Sequence, residues 1–122
     1  MWQKLNKRQA DPDLLEQVLD QLQQANLQSD ERFTESFIES RINKGQGPLR
    51  IRQELRERGI GAGLIDHYLD IYNGEWCDLL KQVHDAKFGP GQVRESRELA
   101  KRVRFLEYRG FPSELIRELL LD

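Results

Sequence analysis

Apolar residues recur along this chain at three- and four-residue spacing. No segment shows the sustained alternation of a half-buried strand, so the pattern predicts an all-α fold. The pattern also repeats. In the middle of the chain stand Leu55, Arg58, Gly59, Ile60, Leu64, Ile65 and Leu69. Fifty-one positions later stand Leu106, Arg109, Gly110, Phe111, Leu115, Ile116 and Leu120, each keeping its chemical type. Fifty positions earlier, Leu5, Arg8, Gln9, Ala10, Leu14, Leu15 and Leu19 match at five of the seven, losing the glycine and the large apolar residue after it.

The repeated string reads as a helix, a tight turn and a second helix. Gly59 and Gly110 fall where a left-handed residue closes a helix, and Ile60 and Phe111 can fold back on the last turn. The following helix carries its Leu-Ile pair and a further Leu on one stripe. In the first copy, Asp11-Pro12 reads as N-cap and first helical residue. Before each pair there is room for another helix. In the central copy it is expected over residues 29–44, capped by Ser29, with Phe33, Phe37, Ile38 and Ile42 as its stripe. Gly45-Gln46-Gly47-Pro48 stops it, and the next helix runs over residues 49–58. In the last copy Trp76, Leu79, Leu80, Val83 and Phe88 form the equivalent face. After the Gly89-Pro90-Gly91 loop, a helix over residues 92–108 offers Leu99, Val103, Phe105 and Leu106 for burial.

The expected architecture is therefore about two and a half tandem three-helix units in an extended or curved array. Residues 1–27 make an incomplete first repeat, residues 28–73 a second and residues 74–122 a third. The first unit begins inside what should be its second helix.

Bulk composition narrows the function classes. The net charge of -2 argues against coating DNA through overall charge, but leaves local patches open. The apolar fraction of 38% and charged fraction of 33% suit thin helical layers with much exposed surface. Cys77 stands alone, so no intramolecular disulfide forms. No signal peptide is expected from the polar start, no apolar run is long enough for a membrane, and the expected location is the cytoplasm. His67 and His84 show no metal-ligand spacing, and Pro48 sits where a phosphate loop would need a backbone N–H. No enzyme, metal or cofactor is expected.

The charges are segregated. Between Asp11 and Glu39 there are eight acidic residues and one basic; between Arg41 and Arg58, six basic and two acidic; between Arg94 and Arg109, six basic and three acidic. Arg41 and Lys44 close one helix while Arg50 and Arg52 open the next, so these four are expected to converge, with Arg56 in reach. A second surface is expected from Arg94, Arg97, Lys101, Arg102 and Arg104, of which Arg97, Lys101 and Arg104 share a face. Arg8, Arg58 and Arg109 sit at helix C-termini, where a cation meets the last carbonyls. Trp76, Phe33, Phe37, Phe88 and Phe111 fall on core stripes, Tyr68, Tyr72 and Tyr108 at edges, and Trp2 is expected to be partly exposed or to make a crystal or oligomer contact.

Three strings carry a resemblance. Lys44-Gly45-Gln46-Gly47-Pro48-Leu49-Arg50-Ile51-Arg52-Gln53-Glu54-Leu55, continued by Arg58-Gly59-Ile60, resembles the signature of the RecX regulatory proteins. So do Asp30-Glu31-Arg32-Phe33 ahead of it and Arg104-Phe105-Leu106-Glu107-Tyr108-Arg109-Gly110-Phe111 near the end. The likeness covers nearly the whole chain, but the family's first helix has no counterpart here. The resemblance implies tandem three-helix repeats, binding in the groove of the RecA–DNA filament, and damping of RecA's ATP hydrolysis, strand exchange and stimulated LexA cleavage. Single- or double-stranded DNA is a further candidate partner, and a monomer is expected in solution. The alternative is a helical DNA-binding protein that acts without touching RecA, and a third class is a scaffold binding another protein.

Overall fold

The computed structural model describes residues 12–121. These form six helices: α1 (Pro12–Asn43), α2 (Pro48–Glu57), α3 (Ala62–Asp70), α4 (Trp76–Phe88), α5 (Ser96–Tyr108) and α6 (Ser113–Leu120). There is no strand among the described residues, as the apolar spacing requires. The chain divides into two compact units, Met1–Phe33 and Thr34–Asp122. The expectations for Trp2, Leu5, Arg8 and Asp11 lie outside the described residues.

Two helix boundaries differ from expectation. Ser29 caps nothing, because α1 runs unbroken from Pro12 to Asn43. After Pro12 that stretch holds neither glycine nor proline and is rich in Leu, Gln and Glu, so nothing in it stops a helix. Ser29 is exposed in mid-helix and leaves its backbone bonding to the helix. At the other end of the chain α5 starts at Ser96 rather than near Gln92, with Glu95 extended before it at φ -74°, ψ 129°. Arg94 therefore lies in an extended lead-in and not on the helix.

In the first unit the described chain is the early part of α1, and Leu14, Leu15, Val18, Leu19 and Leu22 on it are exposed. The second unit holds two linked cores. One comprises Phe37, Ile38, Ile51, Leu55, Ile60, Ile65, Leu69 and Trp76; the other Leu80, Leu106, Phe111 and Ile116. Leu79 and Leu115 pack against both. The repeat is visible in these lists: Leu55, Ile60 and Ile65 of one core correspond to Leu106, Phe111 and Ile116 of the other. Phe33 is not part of either core and is 41% exposed. The neighbouring Thr34 takes the inward position, since residues 34, 37, 38 and 41 share one side of a 3.6-residue helix.

Three helices end in the same way. Gly45, Gly59 and Gly110 have φ of +80°, +83° and +100°. Their N–H groups donate to Ile42, Arg56 and Glu107, at 2.9, 3.0 and 3.0 Å. The following residues, Gln46, Ile60 and Phe111, donate to Arg41, Leu55 and Leu106 at 3.0, 3.1 and 3.2 Å. This is the paired closure that satisfies the last carbonyls of a helix and folds the next side chain back onto it. Ile60 and Phe111 are buried accordingly.

The turn after α1 is docked on the turn after α5. Gly47 N–H donates to the Arg109 carbonyl at 2.8 Å, and Leu49 N–H to the Gly110 carbonyl at 2.9 Å. The backbones are so close that a Cβ on Gly47 would lie 2.5 Å from the Gly110 carbonyl, and one on Gly110 would lie 2.4 Å from the Arg50 Cβ. Gly59, with almost the same φ as Gly45, has nothing within 4 Å. Gly59→Ala should therefore cost only the left-handed strain, about 1–2 kcal/mol. Gly47, at φ -85°, ψ 171°, has no such strain, and Gly47→Ala should cost about 1–3 kcal/mol through overpacking alone. Gly110→Ala should combine both and be the most damaging. Urea unfolding midpoints check this order, and equal losses at Gly59 and Gly110 would contradict it.

Candidate functional site

The first basic cluster is built around the α1–α2 turn. Arg41 in the last turn of α1 and Arg50 in the first turn of α2 approach the two carboxylate oxygens of Glu54, each with Nε at 3.3 Å. The Arg41 Nε contact is an ion pair without hydrogen-bond alignment. Phe37 presents its ring to two guanidinium groups, Arg41 at 4.5 Å and Arg58 at 4.7 Å from the centroid. Arg58 also donates to the Glu54 carbonyl at 3.2 Å, as a cation at a helix C-terminus is placed to do. Arg50 lies 5.2 Å from the Tyr108 ring centre.

The four cations expected to converge here do not all do so. Arg52 is two residues from Arg50 and so points to the far side of α2, where it pairs with Asp66 of α3. Arg56 follows Arg52 by one turn and is exposed, as is Lys44. Arg41 and Arg50 are thus tied to Glu54, Arg52 to Asp66, and among the described residues Lys44 and Arg56 enter no ion pair.

The second cluster also divides. Arg97, Lys101 and Arg104 are exposed on one face of α5, and Arg94 is exposed just before it. None of these four is in an ion pair among the described residues. Arg102 is different: its side chain is 12% exposed. Its Nε donates to Glu98 at 3.3 Å, its guanidinium lies 4.9 Å from the Phe88 ring centre, and Nη1 stands 3.1 Å from Nε2 of His84. His84 is itself 2% exposed. A guanidinium has no acceptor, so His84 Nε2 accepts and its ring proton sits on Nδ1, which donates to Asp85 Oδ1 at 3.0 Å. Arg102 is a packing cation, enclosed by α4.

Arg109 holds two parts of the fold together. It donates to the Lys44 carbonyl at 3.0 Å and lies 5.3 Å from the Phe105 ring centre. Beside it opens a groove of about 540 Å³, floored by Ile42, Leu79, Val83 and Phe105 and edged by Lys44, Lys87 and Arg109. These residues come from three helices far apart in sequence, so no spacing announced the groove. Burial pushes the Tyr72 phenol above its usual 10.0, helped by the carboxylates of Glu39, Glu35 and Glu75. Among the described residues no helix is long and apolar enough to cross a membrane, and no group of three or more His, Cys, Asp or Glu side chains is placed to hold a metal.

The chain is similar to known proteins. Residues 29–69 match the family model of the second three-helix domain of RecX. The regulatory protein RecX of Pseudomonas entomophila is 43% identical over 117 residues, covering 96% of this chain and 76% of that protein. The regulatory protein RecX of Halorhodospira halophila is 39% identical over 115 residues, covering 94% of this chain and 71% of that protein. A crystal structure of a regulatory protein RecX superposes with a TM-score of 0.66 at 28% identity. That match covers 98% of this chain and 61% of the solved one, so this chain spans less than two thirds of its length.

The division between enclosed and free cations can be measured. Arg102→Ala strands His84 Nε2 in a buried place and should cost about 1–3 kcal/mol in urea unfolding. Arg97→Ala, on the exposed face, should stay within about 0.5 kcal/mol of the parent. Equal effects would remove the distinction. Ultraviolet titration should show one tyrosine ionising later than an ordinary phenol, and Tyr72→Phe should abolish that late phase.

Proposed function

Because the chain belongs to the RecX family of regulatory proteins, we propose that it damps RecA by binding the RecA–DNA filament, lowering ATP hydrolysis, strand exchange and stimulated LexA cleavage. The observation that carries the contact surface is the exposed face of α5. Arg97, Lys101 and Arg104 present three cations that no carboxylate of the described residues neutralises, with Arg94 just ahead of them. Such a face attracts carboxylates of a protein lattice or phosphates held in it, and raises the rate of encounter. Lys44 and Arg56 are free to add to it. Arg41, Arg50, Arg52 and Arg102 hold the fold through Glu54, Asp66, Glu98 and His84. They form the supports behind the contact.

A second reading follows from the same face: a helical protein that binds DNA phosphates without touching RecA. It requires tight DNA binding with RecA absent and a steep loss of affinity with salt.

The direct test is RecA ATPase on single-stranded DNA with the chain titrated in. The parent should inhibit. Arg97→Glu with Lys101→Glu should raise the concentration needed by about tenfold or more, equivalent to about 1.4 kcal/mol, with helicity unchanged. Inhibition that is absent in the parent, or unaltered in the double variant, would overturn the respective part of the proposal. Arg50→Glu with Arg52→Glu is a less clean probe, since both reversals also break ion pairs within the fold.

A further inference from the structure

We propose that the groove between the end of α1, α4 and the end of α5 binds an acidic peptide segment of a protein partner, seated by an apolar anchor residue. Its floor is apolar, through Leu79, Val83 and Phe105, while Lys44, Lys87 and Arg109 stand at its edge. Among the described residues no Asp or Glu lines it. The helix C-termini nearby carry partial negative charge of roughly half a unit each for α1 and α5. Set against three full cations, that leaves a net positive charge of roughly two at the rim. Among the described residues none of the three cations is in an ion pair, so their charge is available to an incoming carboxylate.

The same geometry favours a peptide over a nucleic acid. A phosphate chain gains nothing from an apolar floor. Phe105 contributes apolar surface but no open face for a base to stack on, since it has Lys87 Nζ at 5.5 Å, Arg109 at 5.3 Å and the Phe88 ring edge-on at 5.4 Å. A volume of about 540 Å³ suits one or two apolar side chains with flanking carboxylates, and falls within the range of small-ligand pockets. Apolar anchors fix a peptide, while charges at the edge select its sign and speed its arrival. This groove is separate from the α5 face of Arg97, Lys101 and Arg104, and its occupancy does not depend on RecA.

The test is fluorescence anisotropy on the full chain with a labelled peptide Asp-Glu-Leu-Phe-Asp-Glu. Comparison probes are the same peptide with Lys at every acidic position, and a labelled oligothymidylate. The acidic peptide should bind saturably and the basic one should not. Ala86→Glu with Lys87→Glu, two exposed positions on α4, should weaken the acidic peptide by about tenfold or more. Arg97→Glu with Lys101→Glu should leave it bound. Circular dichroism confirms folding, and the milder Lys87→Ala replaces the double variant if that fails to fold. No saturable binding, equal binding of the basic peptide, or insensitivity to the α4 substitutions would overturn the proposal. So would oligothymidylate binding that alone depends on Lys87. RecA is absent throughout, so failure here leaves the filament reading standing, and failure of the filament reading leaves this one standing.

Discussion

The contact between Gly47 and Gly110 is where the second unit is held in register. Two backbone hydrogen bonds cross it, and neither glycine has room for a Cβ. Their net worth is modest, about 0.5–1.5 kcal/mol each. Their geometric consequence is larger. One turn joins α1 to α2 and the other joins α5 to α6, so fixing turn on turn fixes the directions of four helices. Arg109 adds a third bond, to the Lys44 carbonyl. The positions of Lys44 and Arg109 at the groove edge, of Arg50 near Tyr108, and of the outward face of α5 all follow from this docking.

Much of this was legible in the sequence where local physics decides. The left-handed glycines at 59 and 110, the fold-back of Ile60 and Phe111, and the buried Leu55, Ile65, Leu106 and Ile116 follow from helix closure and periodicity. Ser29 misled because a good cap residue does not end a helix when its neighbours are all helix formers. Phe33 is one turn from Phe37 but at the edge of the buried face, and Thr34 lies at the inward angle. The role of Gly47 was invisible. Gly45-Gln46-Gly47-Pro48 reads as a stop signal, and nothing local shows that a distant backbone lies against it.

The charges show the same limit. Spacing within α5 correctly grouped Arg97, Lys101 and Arg104, because one helix settles that question. It did not separate them from Arg102, whose fate depends on His84 and Phe88 of another helix. Likewise Arg41 and Arg50 meet because two helices bring them to Glu54, while Arg52 is turned away by its place on α2. The most exposed of these pairs, Arg52 with Asp66, contributes little to stability, about 0–1 kcal/mol, and the others are partly buried. Their effect on function is to decide which cations remain uncommitted.

If the chain acts by binding a partner surface, as proposed, uncommitted cations are the resource that matters. In the proposed function the filament contact lies on α5, with the enclosed arginines behind it. A cryo-electron microscopy reconstruction of a RecA–single-stranded DNA filament carrying this chain tests that placement most directly. The expected density has Arg97, Lys101 and Arg104 turned toward the filament and Arg102 buried against α4. A reconstruction with the α5 face turned to solvent and the filament engaged elsewhere would contradict it.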